Sequence, residues 1–257
     1  LGSRRRPGDR VVVVGGGNVA VDAARVAKRL GSGKVTIVYR RSREEMPAYA
    51  EEIEDALAEG IEILYLTAPA KIVGTDGRVS GFECLQTELG PPDASGRRRP
   101  VPVKGSEFVI DCDAVIPAIG QRIDIGWAAQ GDAPDVTRRN TIRVNAHTMQ
   151  SSIPHVFAAG DAVTGPASVI EAVAAGHKAV AAIDRFIRKE DLDEYVAGLA
   201  AQSPPGRDWA EIPEHIPSEA RVRSTHLAPD QRTASFDEVD RSFSEEDARR
   251  EALRCLN

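Results

Sequence analysis

Val11-Val12-Val13-Val14-Gly15-Gly16-Gly17-Asn18-Val19-Ala20-Val21-Asp22-Ala23-Ala24 is the segment on which the fold of this chain hinges. Four β-branched residues in succession read as a strand buried on both faces, as in a parallel sheet. The glycines then turn the chain tightly into a helix. A turn without side chains, aimed at a helix N-terminus, can receive the pyrophosphate of a dinucleotide. Gly15 supplies the turn, Gly17 lets the backbone approach the phosphates, and Ala20 lets helix and strand pack closely. Asn18 and Val19 begin the helix, whose partial positive charge completes the candidate site.

A second strand, Lys34 to Tyr39, follows at the spacing of a βαβ unit, which sets this motif apart from an isolated glycine turn. NAD-selective sites usually carry an Asp or Glu about twenty residues past the glycines, where it accepts a hydrogen bond from the ribose 2′-hydroxyl. Here the strand runs into Tyr39-Arg40-Arg41-Ser42-Arg43 instead. Guanidinium groups stay charged and form paired hydrogen bonds to phosphate oxygens, so Arg40, Arg41 and Arg43 favour NADPH over NADH. NADH remains the alternative. The arginines are then a solvated loop balanced by Glu44 and Glu45.

The pattern around this unit is α/β. A helix over about residues 18–30 has Val19, Ala23, Val26, Ala27 and Leu30 on one face, and Gly31-Ser32-Gly33 ends it. A second helix is expected from Met46 to Glu59 and a third strand from Ile61 to Leu66, giving βαβαβ. Residues 70–74, 79–89 and 106–110 read as an antiparallel meander laid on one side of the parallel sheet, with a hairpin turn at Asp76-Gly77. Between them, Gly90 to Lys104 reads as loop, and its Arg97-Arg98-Arg99 run as a loop tip rather than a binding patch. A further strand ends at Ala118-Ile119-Gly120-Gln121, where a domain boundary is plausible, and another is expected over Thr141 to Val144. His155 to Asp161 then makes a strand and tight turn ahead of a long helix over 169–188, with Ile170, Val173, Ala174, Ala181 and Phe186 available for burial. Beyond Lys189 the chain turns polar and proline-rich and reads as an extended tail, closed by a helix that Ser244 caps.

Composition narrows the function. A formal charge of −6 argues against general nucleic-acid binding, and no apolar run is long enough to span a bilayer. Three widely spaced cysteines suit a reduced, cytoplasmic protein, with Cys84 and Cys112 as buried apolar residues. The chain begins at Leu1 rather than Met, so its amino terminus reads as cut away. His147, His155 and His177 are scattered and read as structural, and no Ser-His-Asp set or Cys-x-x-Cys pair offers independent catalysis.

Gly15 to Asp22, together with Tyr39-Arg40-Arg41-Ser42-Arg43-Glu44-Glu45-Met46-Pro47-Ala48, resembles the small (beta) subunit of NADPH-dependent glutamate synthase and its relatives. These are FAD-dependent pyridine-nucleotide oxidoreductases with two dinucleotide-binding domains. Ala118-Ile119-Gly120-Gln121 and Ala159-Gly160-Asp161-Ala162 match that family's domain crossover and second flavin motif, and the likeness resumes at Phe236-Asp237-Glu238-Val239. The resemblance implies a Rossmann-like parallel sheet with an antiparallel meander, divided into a linker (1–10), an NAD(P)H-binding domain (11–120), the C-terminal part of an FAD-binding domain (121–190) and the tail (191–257). It implies that Ile119 and Gly120 lie at the crossover, that Gly160 and Asp161 contact FAD, and that Ala167 and Ser168 face the flavin. The FAD pyrophosphate turn of that family precedes the NAD(P)H domain and has no counterpart here, so FAD is expected to need a missing half or partner subunit. Cys255 resembles the first ligand of an iron–sulfur motif cut short, with an iron–sulfur acceptor as partner. The implied reaction passes hydride from NADPH to FAD and electrons on to iron–sulfur centres. A non-catalytic nucleotide-binding or assembly module is the rival reading.

Overall fold

The computed structural model describes residues 5–92, 96–121, 123–124, 126, 133–202 and 220–254. The chain divides into two compact units, Leu1–Ile119 with Ser218–Asn257, and Gly120–Pro217.

In the first unit, β1 (Arg10–Val14) leads into α1 (Asn18–Arg29) and β2 (Lys34–Val38). A single 3-10 turn (Arg43–Glu45) precedes α2 (Ala50–Ala58) and β3 (Glu62–Leu64). The expected helix from Met46 is thus shorter at its start. Pro47 bars regular helix across itself, and Ser42 caps the 3-10 turn with Glu45. The remaining strands are β4 (Thr67–Thr75), β5 (Arg78–Pro92), β6 (Arg98–Pro102), β7 (Phe108–Asp111) and β8 (Ala114–Pro117). The parallel sheet has the order β3-β2-β1-β8, so β1 is flanked on both sides. Val11 and Val13 face α1 and α2 through Ala20, Ala24, Ala27, Ile53 and Ala56. Val12 and Val14 face Phe82 and Cys84 of β5 and Cys112, which lies between β7 and β8. An unbroken valine run therefore has a different partner layer on each face.

α1 sits on the sheet with a face different from the expected one. Ala20, Val21, Ala24 and Ala27 are buried, whereas Val19 and Val26 point outward. Small alanines together with Val21 form the face that packs on the sheet.

The meander pairs antiparallel as β4-β5-β6, with β7 also on β5. Its first turn has Asp76 and Gly77 both left-handed (φ 51° and 73°), as a tight hairpin requires. β6 lies inside the stretch expected as loop. Its two prolines hide a strand that pairs with β5 through Thr87 and Leu89.

Residues beyond 190 differ from an extended tail. They carry α5 (Leu192–Gln202), α6 (Pro229–Ala234) and α7 (Glu245–Leu253), and the segment from Ser218 belongs to the first unit. Arg232 is buried and forms an ion pair with Asp55 on α2 (2.6 Å), and its Nε donates to the Leu227 carbonyl (2.6 Å). Charge pairing holds this segment, and apolar periodicity carries no trace of it.

The second unit contains α3 (Asp161–Thr164), α4 (Val169–Ile187) and α5. The strand expected over Thr141 to Val144 is reduced to isolated bridges, Val136 with Ile142 and Val144 with Ser151. Phe157 meets the edge of Phe186 (5.6 Å), and Arg185 stacks over Tyr195 (4.0 Å). On α4, Ala179 and Ala182 are buried, while Ile170 (72%) and Val173 (49%) stay exposed, contrary to their expected burial. No described helix is long and apolar enough to cross a membrane.

Candidate functional site

The three glycines have three separate physical reasons. Gly15 is left-handed (φ 147°), and a Cβ there would lie 2.3 Å from the Ala118 carbonyl oxygen at the end of β8. The turn is locked between strands by Gly15 N–H donating to Val38 O (3.1 Å) and Ala118 N–H to Val14 O (2.8 Å). Gly16 packs against the Tyr39 ring, 2.4 Å from where a Cβ would stand. Gly17 meets nothing within 4 Å of a Cβ position, so the space before it is open. As N-cap of α1 it adds no side-chain cap, leaving first-turn N–H groups of Asn18 and Val19 for an anion. Ala20 is fully buried beneath the turn. The residues fit a pyrophosphate: open backbone, a helix start, and no side chain in the way. Asn18 also has a structural task, since its Oδ1 accepts from Tyr49 N–H (3.0 Å) and holds the start of α2.

The three arginines beyond β2 part company. Arg40 is exposed and its guanidinium has no partner among the described residues, while its carbonyl accepts from the buried Thr87 hydroxyl (2.8 Å). Arg41 donates through Nε to the Arg98 carbonyl (2.8 Å), which steadies its guanidinium. Arg43 is paired with Glu54 on α2 and bridges loop to helix. Glu44 and Glu45 both bond the Ser42 hydroxyl, and that bond holds the exposed Glu44 carboxyl below its usual range. Leu66, left-handed at φ 51°, donates to Arg41 O (2.9 Å) and accepts from Thr87 N–H (2.7 Å). The arginine loop is thereby pinned to the meander at several points.

At the end of the first unit Ile119 is 76% exposed, and the next residue, Gly120, is left-handed (φ 92°). Within the second unit, Gly160 is left-handed (φ 64°) and caps α3, and Asp161 is exposed at the first position of that helix. Asp161, Ala167 and Ser168 line a cavity of about 450 Å³ with Val169, Ala172 and Val173 at the head of α4. Ser168 closes a capping box: its N–H and hydroxyl donate to Glu171 (2.8 and 2.6 Å), and its Oγ accepts from Glu171 N–H (3.3 Å). These bonds pull the Glu171 carboxyl below its usual range. Ser168 is therefore held as a helix cap, and Asp161 is the more available polar side chain.

Cys84 and Cys112 are free and buried, as expected, and burial pushes the Cys84 thiol up to about 11. Cys255 lies outside the described residues. Sequence reasoning gave no separate role to Gly16, Tyr39 or Thr87. The aromatic just past a β-branched strand was a signal for Tyr39. Nothing local marks Thr87, because it acts across the meander on Arg40 O.

A family model described as pyridine nucleotide-disulphide oxidoreductase matches residues 2–176. The chain is 42% identical over 97% of its length to the NADP(+)-dependent formate dehydrogenase subunit beta of Moorella thermoacetica, and covers 35% of that protein. It is 41% identical over 70% of its length to the glutamate synthase [NADPH] small chain of Escherichia coli, covering 39% of it. The chain thus spans little more than a third of these curated relatives. Among solved structures, a thioredoxin reductase of Lactococcus lactis shares the fold, with a TM-score of 0.58 at 22% identity over 72% of this chain and 55% of that one.

Proposed function

Because the chain belongs to the pyridine nucleotide-disulphide oxidoreductase family, we propose that it forms the NAD(P)H-binding part of a flavin-dependent oxidoreductase selective for NADPH. The observation that carries this reading is the open backbone at Gly17, at the head of α1, beside a strand end that bears Arg40 and Arg41 and no carboxylate of the NAD type. The two relatives, NADP(H)-dependent by name, support it. In this reading Gly15 and Gly17 admit the pyrophosphate, the N–H groups of Asn18 and Val19 bond it, and Ala20 permits the close packing beneath. Arg40 and Arg41 hold the 2′-phosphate, and Arg43 supports their loop through Glu54. Ile119 and Gly120 form the crossover. Gly160 and Ala167 offer backbone to FAD, Asp161 accepts from an FAD hydroxyl, and Ser168 shapes the same surface as a cap.

When bound, the two cofactors supply hydride transfer from nicotinamide to flavin. The chain's own work is to bind, orient and exclude competing positions. A flavin domain half or partner subunit, an iron–sulfur acceptor and Cys255 as one cluster ligand complete the proposal.

Calorimetric titration of the chain with NADPH and NADH at one ionic strength tests it. NADPH is expected to bind more tightly, and the double change Arg40→Ala with Arg41→Ala to weaken NADPH about a hundredfold with little effect on NADH. Tighter NADH binding overturns the NADPH assignment.

A further inference from the structure

The backbone that leaves β2 is held at three successive carbonyls by donors from farther along the chain. Tyr39 O accepts from Thr67 N–H (3.0 Å), Arg40 O from the Thr87 hydroxyl (2.8 Å) and Arg41 O from Leu66 N–H (2.9 Å). The first and last donors are backbone groups, which any residue other than proline supplies. The middle donor is a side chain, so that bond depends on which residue stands at position 87. Thr87 lies buried on β5, 47 residues from Arg40, and its own N–H donates to Leu66 O (2.7 Å). Leu66 is left-handed (φ 51°), an uncommon conformation for a bulky side chain, and in it donates to Arg41 O while accepting from Thr87. Thr87 and Leu66 thus form one hydrogen-bonded unit across the two arginine carbonyls.

We propose that Thr87 is a positioning residue for cofactor selectivity, which fixes the backbone of Arg40 so that its guanidinium meets a ribose 2′-phosphate. This rests on the NADPH reading above and adds to it a residue outside the dinucleotide motif. The arginines of the loop need such support unequally. Arg41 is steadied at its side chain by Arg98 O (2.8 Å), and Arg43 by Glu54. Arg40 has no side-chain partner among the described residues, so the course of its backbone is what directs its side chain. A hydrogen bond to Arg40 O holds the peptide plane that follows its Cα and so restricts that residue's ψ. Order that exists before the ligand arrives need not be imposed on binding, and affinity gains accordingly. The glycine turn is held separately, through Gly15 N–H to Val38 O and Ala118 N–H to Val14 O, so the pyrophosphate position does not depend on the Thr87 hydroxyl.

The test is titration of the full chain with NADPH, NADH and adenosine 2′,5′-bisphosphate, the last a probe with the 2′-phosphate and no nicotinamide. Thr87→Val keeps the branched shape and the N–H donor and removes the hydroxyl. It is expected to weaken NADPH and the bisphosphate about fivefold each, the size of one hydrogen bond, and to leave NADH within about twofold. Thr87→Ser retains the hydroxyl and is expected to stay within about twofold of the unsubstituted chain for all three ligands. In an Arg40→Ala background, Thr87→Val is expected to change NADPH affinity by less than about twofold, because its effect passes through Arg40. The same loss in that background, or equal weakening of NADPH and NADH by Thr87→Val, makes the residue a brace of the fold and overturns the proposal. Unchanged NADPH binding in Thr87→Val, while the unsubstituted chain prefers NADPH, overturns this inference alone. Absence of NADPH preference in the unsubstituted chain overturns the NADPH reading and this inference with it.

Discussion

Cys84 shows how a single residue reports its surroundings. It is wholly buried between the two sheets with Val12, Val14, Phe82 and Cys112. Burial penalises the thiolate, and its neighbours Cys112 and Glu83 add to the effect, raising ionisation from 9.0 to about 11. The folded state then keeps a proton that the unfolded chain releases. The stability this contributes is complete below pH about 9 and is lost as pH rises toward 11, at up to ~1.4 kcal/mol per pH unit. Urea unfolding of the chain and of Cys84→Ala at pH 8 and 10.5 is expected to show about 2 kcal/mol more loss in the unsubstituted chain. Equal losses would dispose of this account. At neutral pH the thiol is expected to resist alkylation until unfolding. Gly16 is the complementary case, where the Tyr39 ring occupies the space that any side chain would need.

Helices α1, α2 and α6 are joined by a charge cluster, beside the apolar contact that α1 and α2 share in the core. Glu59, at the C-terminal end of α2 with its side chain fully buried, accepts from Arg25 (2.7 and 3.0 Å) and Arg29 (2.9 Å). Asp55, one turn earlier, accepts from Arg25 (3.2 Å) and forms an ion pair with Arg232 of α6 (2.6 Å). A carboxylate at a helix C-terminus is unfavourable on dipole grounds by up to about 1 kcal/mol. The arginines offset that, and the bonds to Glu59 and Asp55 raise the Arg25 guanidinium against the opposing effect of burial. Removing the acid leaves buried guanidinium groups uncompensated, so Glu59→Ala is expected to cost about 3 kcal/mol in urea unfolding. Glu54→Ala, which breaks a half-exposed pair with Arg43, is expected to cost under about 1 kcal/mol. Similar costs for the two would place the stabilisation elsewhere.

Across the whole chain, the segment from Ser218 returns to the first unit after the intervening Gly120–Pro217. Leu227 N–H bonds Val239 O (3.0 Å), and His226 lies between Asp240 (2.8 Å) and Asp55 (3.7 Å). Truncation ahead of Ala220 is expected to lower stability by roughly 2 to 4 kcal/mol, seen as a lower urea midpoint, because it strips Asp55 of Arg232. An unchanged midpoint would make the segment an ornament of the fold. The parts of this architecture legible in the sequence were those set by near neighbours. The valine run, the glycine turn, the Asp76-Gly77 hairpin and the Ser244 cap each depend on residues within a few positions of one another. Other features were hidden. The buried face of α1, Ala20, Val21, Ala24 and Ala27, is set by which side meets the sheet, and periodicity alone placed Val19 and Val26 there instead. The separate fates of Arg40, Arg41 and Arg43 and the clasp of Arg232 depend on partners from 11 to 177 residues away. Charge–charge attraction has no period along a chain, so only the path of the backbone through space could bring those groups together.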